Sequence, residues 1–179
     1  MMDKSANYRL LLYAKPGQLD IKDSNTLVEP LAKLGLLGEV IPATGSDYLA
    51  GHAFTDLITF LGCAPEIALH PDQGESFCFI RLHEITAELT MYHGENTRTP
   101  FCRLCKQDQS AWRDVEKKDY CDQCTLDERS ANWAWKKSAA LSRLAISVFN
   151  IYPHEAVPSQ QLLEWLGTHS GQEWGFAYV

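Results

Sequence analysis

A chain of 179 residues that is 45% hydrophobic and 22% charged has the composition of an ordinary globular domain, which excludes the disordered and low-complexity classes. Its formal net charge of −7 argues against loose binding to nucleic acid, where attraction grows with the number of phosphates neutralised. No apolar run approaches the ~18 residues that span a bilayer, and residues 1–7 lack the basic-then-apolar layout of a signal peptide. A single domain over residues 1–179, with no membrane as partner and the cytoplasm as its location, is therefore expected.

Residues 8–15 are short, apolar and aromatic and end at Pro16-Gly17, which predicts a strand closed by a turn. Thr26-Leu27-Val28-Glu29 has the capping-box pattern. Leu27, Leu31 and Leu34 then share a helical face that Gly35 or Gly38 ends, with Pro30 shifting the start by a residue or two. The strongest helical period covers residues 48–61, where Phe54, Leu57, Ile58 and Leu61 align, Ser46 or Asp47 caps the start and Gly62 stops it. Residues 66–70, 76–83 and 87–93 read as strands, the last two as a candidate hairpin. Phe77-Cys78-Phe79-Ile80 is apolar on both faces, as in a strand covered on both sides.

Residues 97–128 are polar, aperiodic and too long for an ordinary loop. After them Trp133 and Trp135 alternate along a predicted strand, and residues 144–152 predict another. Residues 139–149 also fit a helical period through Leu141, Leu144, Ala145 and Val148, but Ile146, Val148 and Ile151 favour the strand for the second half. Pro158-Ser159 opens a last helix with Leu162, Leu163 and Leu166 inward and Gly167 or Gly171 at its end. Residues 175–179 form a closing strand that needs a sheet to join. The fold class is α+β: a mixed or mainly antiparallel sheet with two to three helices, and residues 97–128 as an inserted segment.

The sharpest chemical signal is Cys102-Arg103-Leu104-Cys105 followed, after 15 residues, by Cys121-Asp122-Gln123-Cys124. This spacing is that of a four-cysteine zinc site. Four sulfurs leave no coordination position for water, so one Zn²⁺ here holds structure rather than performing chemistry, and its binding orders a segment with almost no core of its own. The segment resembles the broad zinc-ribbon class, over residues 101–125 only. No Gly follows either pair and no Pro precedes the second Cys of either, unlike the commonest ribbons. Iron, a redox dithiol switch and plain buried thiols are the competing readings of the four cysteines.

The ribbon resemblance implies an association with nucleic acid, which the local charge does not support. From Arg98 to Cys124 there are six basic residues (Arg98, Arg103, Lys106, Arg113, Lys117, Lys118) and five acidic ones (Asp108, Asp114, Glu116, Asp119, Asp122). A zinc tetrathiolate brings a further −2, so these cations balance the metal site. Trp112 and Tyr120 suit base stacking, and equally a cover over the metal.

Among the six histidines, His70, His83 and His93 fall on or near adjacent predicted strands, and their convergence with Glu84 or Glu95 would make a catalytic metal site. Cys63 sits at the wrong end of a predicted helix for a thiolate. Cys78 lies between two phenylalanines and reads as core. Gly-rich phosphate loops and a G-x-S-x-G elbow are absent. Trp165, Trp174, Phe176 and Tyr178 read as a packed aromatic core. The leading expectation is a non-catalytic zinc protein acting as an interaction module for another protein. A small metal-dependent hydrolase or transferase built on His70, His83 and His93 is the alternative, and a nucleic-acid-associated ribbon protein a further one.

Overall fold

Three consecutive leucines near the N-terminus, Leu10, Leu11 and Leu12, are all fully buried. Successive strand residues point to opposite faces, so the strand that carries them must be covered on both sides. The rest of the architecture follows from that demand. In this computed structural model, which describes residues 8–62, 67–73, 76–113, 121, 124 and 133–179, twelve strands and three α-helices are seen among the described residues. The strands of the first half are β1 (Arg9–Ala14), β2 (Leu37–Val40), β3 (Asp47–Ala50), β4 (Ile58–Phe60), β5 (Phe79–Leu82) and β6 (Thr90–His93). Those of the second half are β7 (Phe101–Cys102), β8 (Trp133–Ala134), β9 (Ala139–Ser142), β10 (Ala145–Phe149), β11 (Ala156–Pro158) and β12 (Trp174–Tyr178). The helices are α1 (Val28–Leu34), α2 (Phe54–Leu57) and α3 (Gln160–Ser170).

Six strands form one open sheet in the order β12-β1-β10-β5-β3-β2, antiparallel throughout. The expected α+β class with a mainly antiparallel sheet is what the chain adopts. On one face Leu10, Leu12, Ile80, Ile146 and Val148 pack with Leu31 of α1 and with Leu162 and Leu166 of α3. On the other, Leu11 and Ala145 meet Tyr92, Ala140, Ala177 and Val179. That second face is covered by the two-stranded ribbon of β6 and β9. The chain passes from this ribbon into the sheet at Ser142, whose buried hydroxyl donates to the Ala14 and Leu144 carbonyls at 2.7 Å each.

Several local readings hold. Ser159 caps α3 by accepting from the Leu162 N–H, and Gly171, in the left-handed region, closes it. Gly35 (φ 88°) closes α1 in the same way. The start of α1 differs, because the capping box is not formed. The Asp23 carboxylate accepts from the Asn25 N–H and Thr26 donates to the Asp23 carbonyl, holding a 3₁₀ turn at Ser24–Leu27. Pro30 then occupies the third position of α1, where a missing N–H costs nothing.

The predicted helix over residues 48–61 is the main error. The chain there is β3, a Gly51 corner, the single turn α2 and β4. Asp47 is a strand residue whose carboxylate takes the Arg81 guanidinium in a fork, Nε to Oδ1 at 2.6 Å and Nη2 to Oδ2 at 2.8 Å, and it caps no helix. Gly51 donates to the Leu36 carbonyl at 2.9 Å, and a Cβ there would stand 2.3 Å from the Gly35 oxygen. Backbone against backbone at that corner overrides the helical period.

Residues 67–70 form no strand, and Ala68 is tied to Cys78 by one backbone hydrogen bond. The candidate hairpin of residues 76–83 and 87–93 is not made: β5 lies inside the main sheet and β6 pairs with β9. Residues 139–149 are two strands, and their apparent helical period reflects burial on both faces. Cys63, Glu66, Lys117, Lys118 and Tyr120 lie outside the described residues. No helix among those described is long and apolar enough to cross a membrane.

Candidate metal centre

The pairing of β6 with β9 ends at His93 opposite Ala139, and the cysteine-bearing chain leaves and re-enters the body there. Hydrogen bonds clamp this base. The Gly94 N–H donates to the Thr97 hydroxyl at 2.8 Å, the Thr97 hydroxyl to the Ser138 carbonyl at 2.9 Å, and the Arg98 N–H to the Ser138 hydroxyl at 2.8 Å. Beyond it β7 pairs with β8, placing Cys102 opposite Trp133.

Cys102 opens a tight turn. Its N–H donates to the Gln107 carbonyl and its carbonyl accepts from the Lys106 N–H, both at 2.9 Å, and Phe101 bridges to Asp108 beyond the turn. Lys106, directly after Cys105, takes the left-handed conformation (φ 65°) that normally calls for Gly. The glycine missing after the first cysteine pair is therefore replaced in conformation, though not in residue. The second pair also closes a short turn, with the Cys124 N–H donating to the Cys121 carbonyl at 3.2 Å.

The four sulfurs converge. Cys102 Sγ lies 3.8 Å from Cys124 Sγ, Cys105 Sγ lies 3.4 Å from Cys121 Sγ, and all four are within 4.8 Å of one another. A tetrahedral ion with metal–sulfur bonds of ~2.3 Å sets its sulfurs about 3.8 Å apart. All four cysteines are placed to bind one metal ion. Among the described residues this is the only group of three or more His, Cys, Asp or Glu side chains able to do so. The Gln109 side-chain amide donates to Cys121 Sγ at 3.4 Å, as a supporting donor to a ligating sulfur does.

The electrostatics match a cation site. The backbone N–H groups of Cys105 and then Leu104 aim at Cys102 and hold its thiol below the ordinary range against desolvation. Cys124 is pushed up to about 12, first by the Cys105 thiol, then by burial and by Cys102 and Cys121. Four thiols at this spacing resist ionising together, and a divalent cation removes the conflict by taking them all as thiolates. Beside the sulfurs sits an aromatic cluster. Trp112 meets Trp135 edge-on at 5.3 Å and His93 at 5.9 Å, and Trp133 lies 5.8 Å from Trp135. Trp112 is buried in this cluster, with the Arg113 guanidinium 4.3 Å from its ring centre, which leaves little of its face open to base stacking.

The histidine alternative does not assemble. His83 Nε2 is 2.8 Å from the buried Ser147 hydroxyl and its ring meets Tyr92 edge-on, whereas His93 faces Trp112 and His70 is exposed. Burial, then Arg9 and Arg81, depress the His83 pKa to about 4, so it is neutral at ordinary pH. Cys78 is pushed up to about 12 by burial and then by Glu155, and its thiol donates to the Asn150 carbonyl at 3.7 Å within the main core, as suits a core thiol. Trp174 and Tyr178 belong to the main core, with Trp165 and Phe176 half-buried against it. Gln109 donates to the site but carried no sequence signal, and Met91 and His93 pack on the tryptophan cluster beside it, His93 in a role other than the expected metal ligand. No protein-family model, no curated protein and no solved structure matches this chain.

Proposed function

We propose that Cys102, Cys105, Cys121 and Cys124 hold one Zn²⁺ in a zinc-ribbon-like, purely structural site. The protein is then a non-catalytic interaction module of a reducing compartment, the cytoplasm. The cysteine-bearing segment, residues 97–128, or the adjoining edge of the sheet, is what it presents to another protein. The carrying observation is the convergence of four sulfurs within 4.8 Å. Zinc is favoured because a closed tetrahedron of thiolates suits it, and because reduced cytosolic thiols are metal ligands more often than disulfides. A formal charge of −7, which four thiolates and one Zn²⁺ carry to about −9, weighs against nucleic acid as the partner.

Two measurements test this. Elemental analysis of the purified chain should give one zinc per chain, lost in Cys102→Ser/Cys121→Ser. Affinity capture, followed by reconstitution from two purified proteins, should return a direct partner whose binding is lost with the metal. Two zinc ions per chain, one surviving the double variant, would move the reading to an enzyme. A partner held equally well by metal-free protein would remove the segment from the interaction.

A further inference from the structure

A cavity of about 340 Å³ opens between β1, the first cysteine turn and the connection from β8 to β9. That volume is at the lower end of small-ligand sites. Four cations, Lys15, Arg103, Lys136 and Lys137, line it, with no carboxylate among the described lining residues. Lys15 is paired with Glu173, while the other three have no carboxylate partner among the described residues. Aromatic rings support two of them instead: the Lys137 ammonium is 4.0 Å from the Phe176 ring centre and that of Lys136 is 5.5 Å from Phe101. Both lysines adopt left-handed backbone, φ 50° at Lys136 and 57° at Lys137, a conformation unfavourable for any residue with a side chain.

The wall is also rich in unused donors. Trp133 and Trp135 line the cavity, are only 4% and 8% exposed, and neither indole N–H has an acceptor among the described residues. A buried donor without a partner costs ~1–3 kcal/mol. Tyr13 shares the wall: burial raises its phenol, Lys15 and then Arg103 act against that, and Glu173, the partner of Lys15, adds a smaller upward push. In a chain of net charge −7, these cations and orphan donors form a local inversion of sign.

We propose that this cavity binds a small phosphate ester, a nucleoside mono- or diphosphate. Arg103, Lys136 and Lys137 take the phosphates, and the base lies along the apolar side formed by Trp133, Trp135 and Leu141. A wall of donors selects an acceptor-rich anion, and guanidinium and ammonium groups suit phosphate oxygens. The volume suits one small ligand rather than an extended chain. The site uses side-chain cations where a glycine-rich loop would use backbone amides, so no phosphate motif marks it. It goes beyond the interaction reading and does not rest on it.

The test is calorimetric titration of the full zinc-loaded chain with ADP, alongside pyrophosphate, adenosine and a hexaglutamate peptide, with tryptophan emission as a second readout. ADP should bind at one saturable site, about tenfold tighter than either pyrophosphate or adenosine, and weaken with salt. Lys136→Gly/Lys137→Gly removes both charges while suiting the left-handed backbone. It should retain the circular dichroism and zinc content of the parent and weaken ADP binding about tenfold or more. The absence of saturable binding would return these cations to offsetting the four thiolates and overturn the assignment. So would pyrophosphate or hexaglutamate binding as tightly as ADP, or ADP binding that the double glycine variant leaves unchanged.

Discussion

Strand β1 buries Leu10, Leu11, Leu12 and Ala14 completely, whereas from Phe101 to Arg113 only Cys102 and Trp112 are buried among the residues whose burial is described. Ordering a residue costs roughly 1–2 kcal/mol of backbone entropy, and burying a leucine-sized side chain returns about 1.5–3 kcal/mol. By that measure the sheet supports itself and the cysteine segment does not. On the proposal above, what burial does not supply there would come from the ion that the converging sulfurs are placed to hold. Two kinds of stabilisation therefore share one chain, and they should be separable.

The strongest attempt to separate them is Cys102→Ser/Cys121→Ser. Structural zinc contributes ~10–16 kcal/mol of apparent folding free energy in small peptides. The variant should lose its metal and the amide-exchange protection of residues 97–113, while β1 and β10 keep theirs. Equal loss of protection in the sheet would erase the distinction. The converse change is Ile146→Ala, at a fully buried position. It should lower the chemical-denaturation stability of the body by about 2–5 kcal/mol while zinc per chain stays at the parent value. A drop in zinc content would show that the body holds the segment together.

His83, between the main sheet and the β6–β9 ribbon, offers a smaller effect, confined to the body. Its folded-state pKa of about 4 lies below the ordinary 6.5, so the unfolded chain binds the extra proton first. The stabilisation is fully present above pH 6.5 and is lost as pH falls toward 4. At 1.36 kcal/mol per pKa unit the loss is at most about 3 kcal/mol. Partial exposure screens it to ~1–2 kcal/mol. Stability measured across that range should fall for the parent and stay flatter for His83→Gln. The smallest effect is at Lys106, where glycine would relieve a left-handed residue. Lys106→Gly should gain ~0.5–1 kcal/mol, read as slower transfer of zinc to a chelator, and should leave the denaturation of the body unchanged.

What the sequence disclosed follows the range of the interactions involved. Ser159 and Gly171 bracket α3 through contacts within a few residues, so that helix was legible from punctuation alone. The convergence of the four cysteines was legible because ligand chemistry is written directly in their spacing, although the Gln109 contact was not. Residues 48–61 misled because Phe54, Leu57 and Ile58 are buried, and a buried strand–turn–strand path imitates a helical stripe. What decides that path is the approach of Gly51 to Gly35. The Arg81–Asp47 fork joins residues 34 positions apart, and the cation-lined cavity assembles Lys15 with Arg103 and Lys136. Neither leaves a local trace.

The antiparallel register that sets His93 opposite Ala139 has one more consequence. The two strands meet at the spacing of a neighbouring strand pair, about 4.5–5.5 Å. A short hairpin turn has the reach to join them directly, and the β6–β9 ribbon would still cover Leu11 and Ala145. The body of the molecule thus has the geometry of a socket, whose rim a shorter loop has the reach to close.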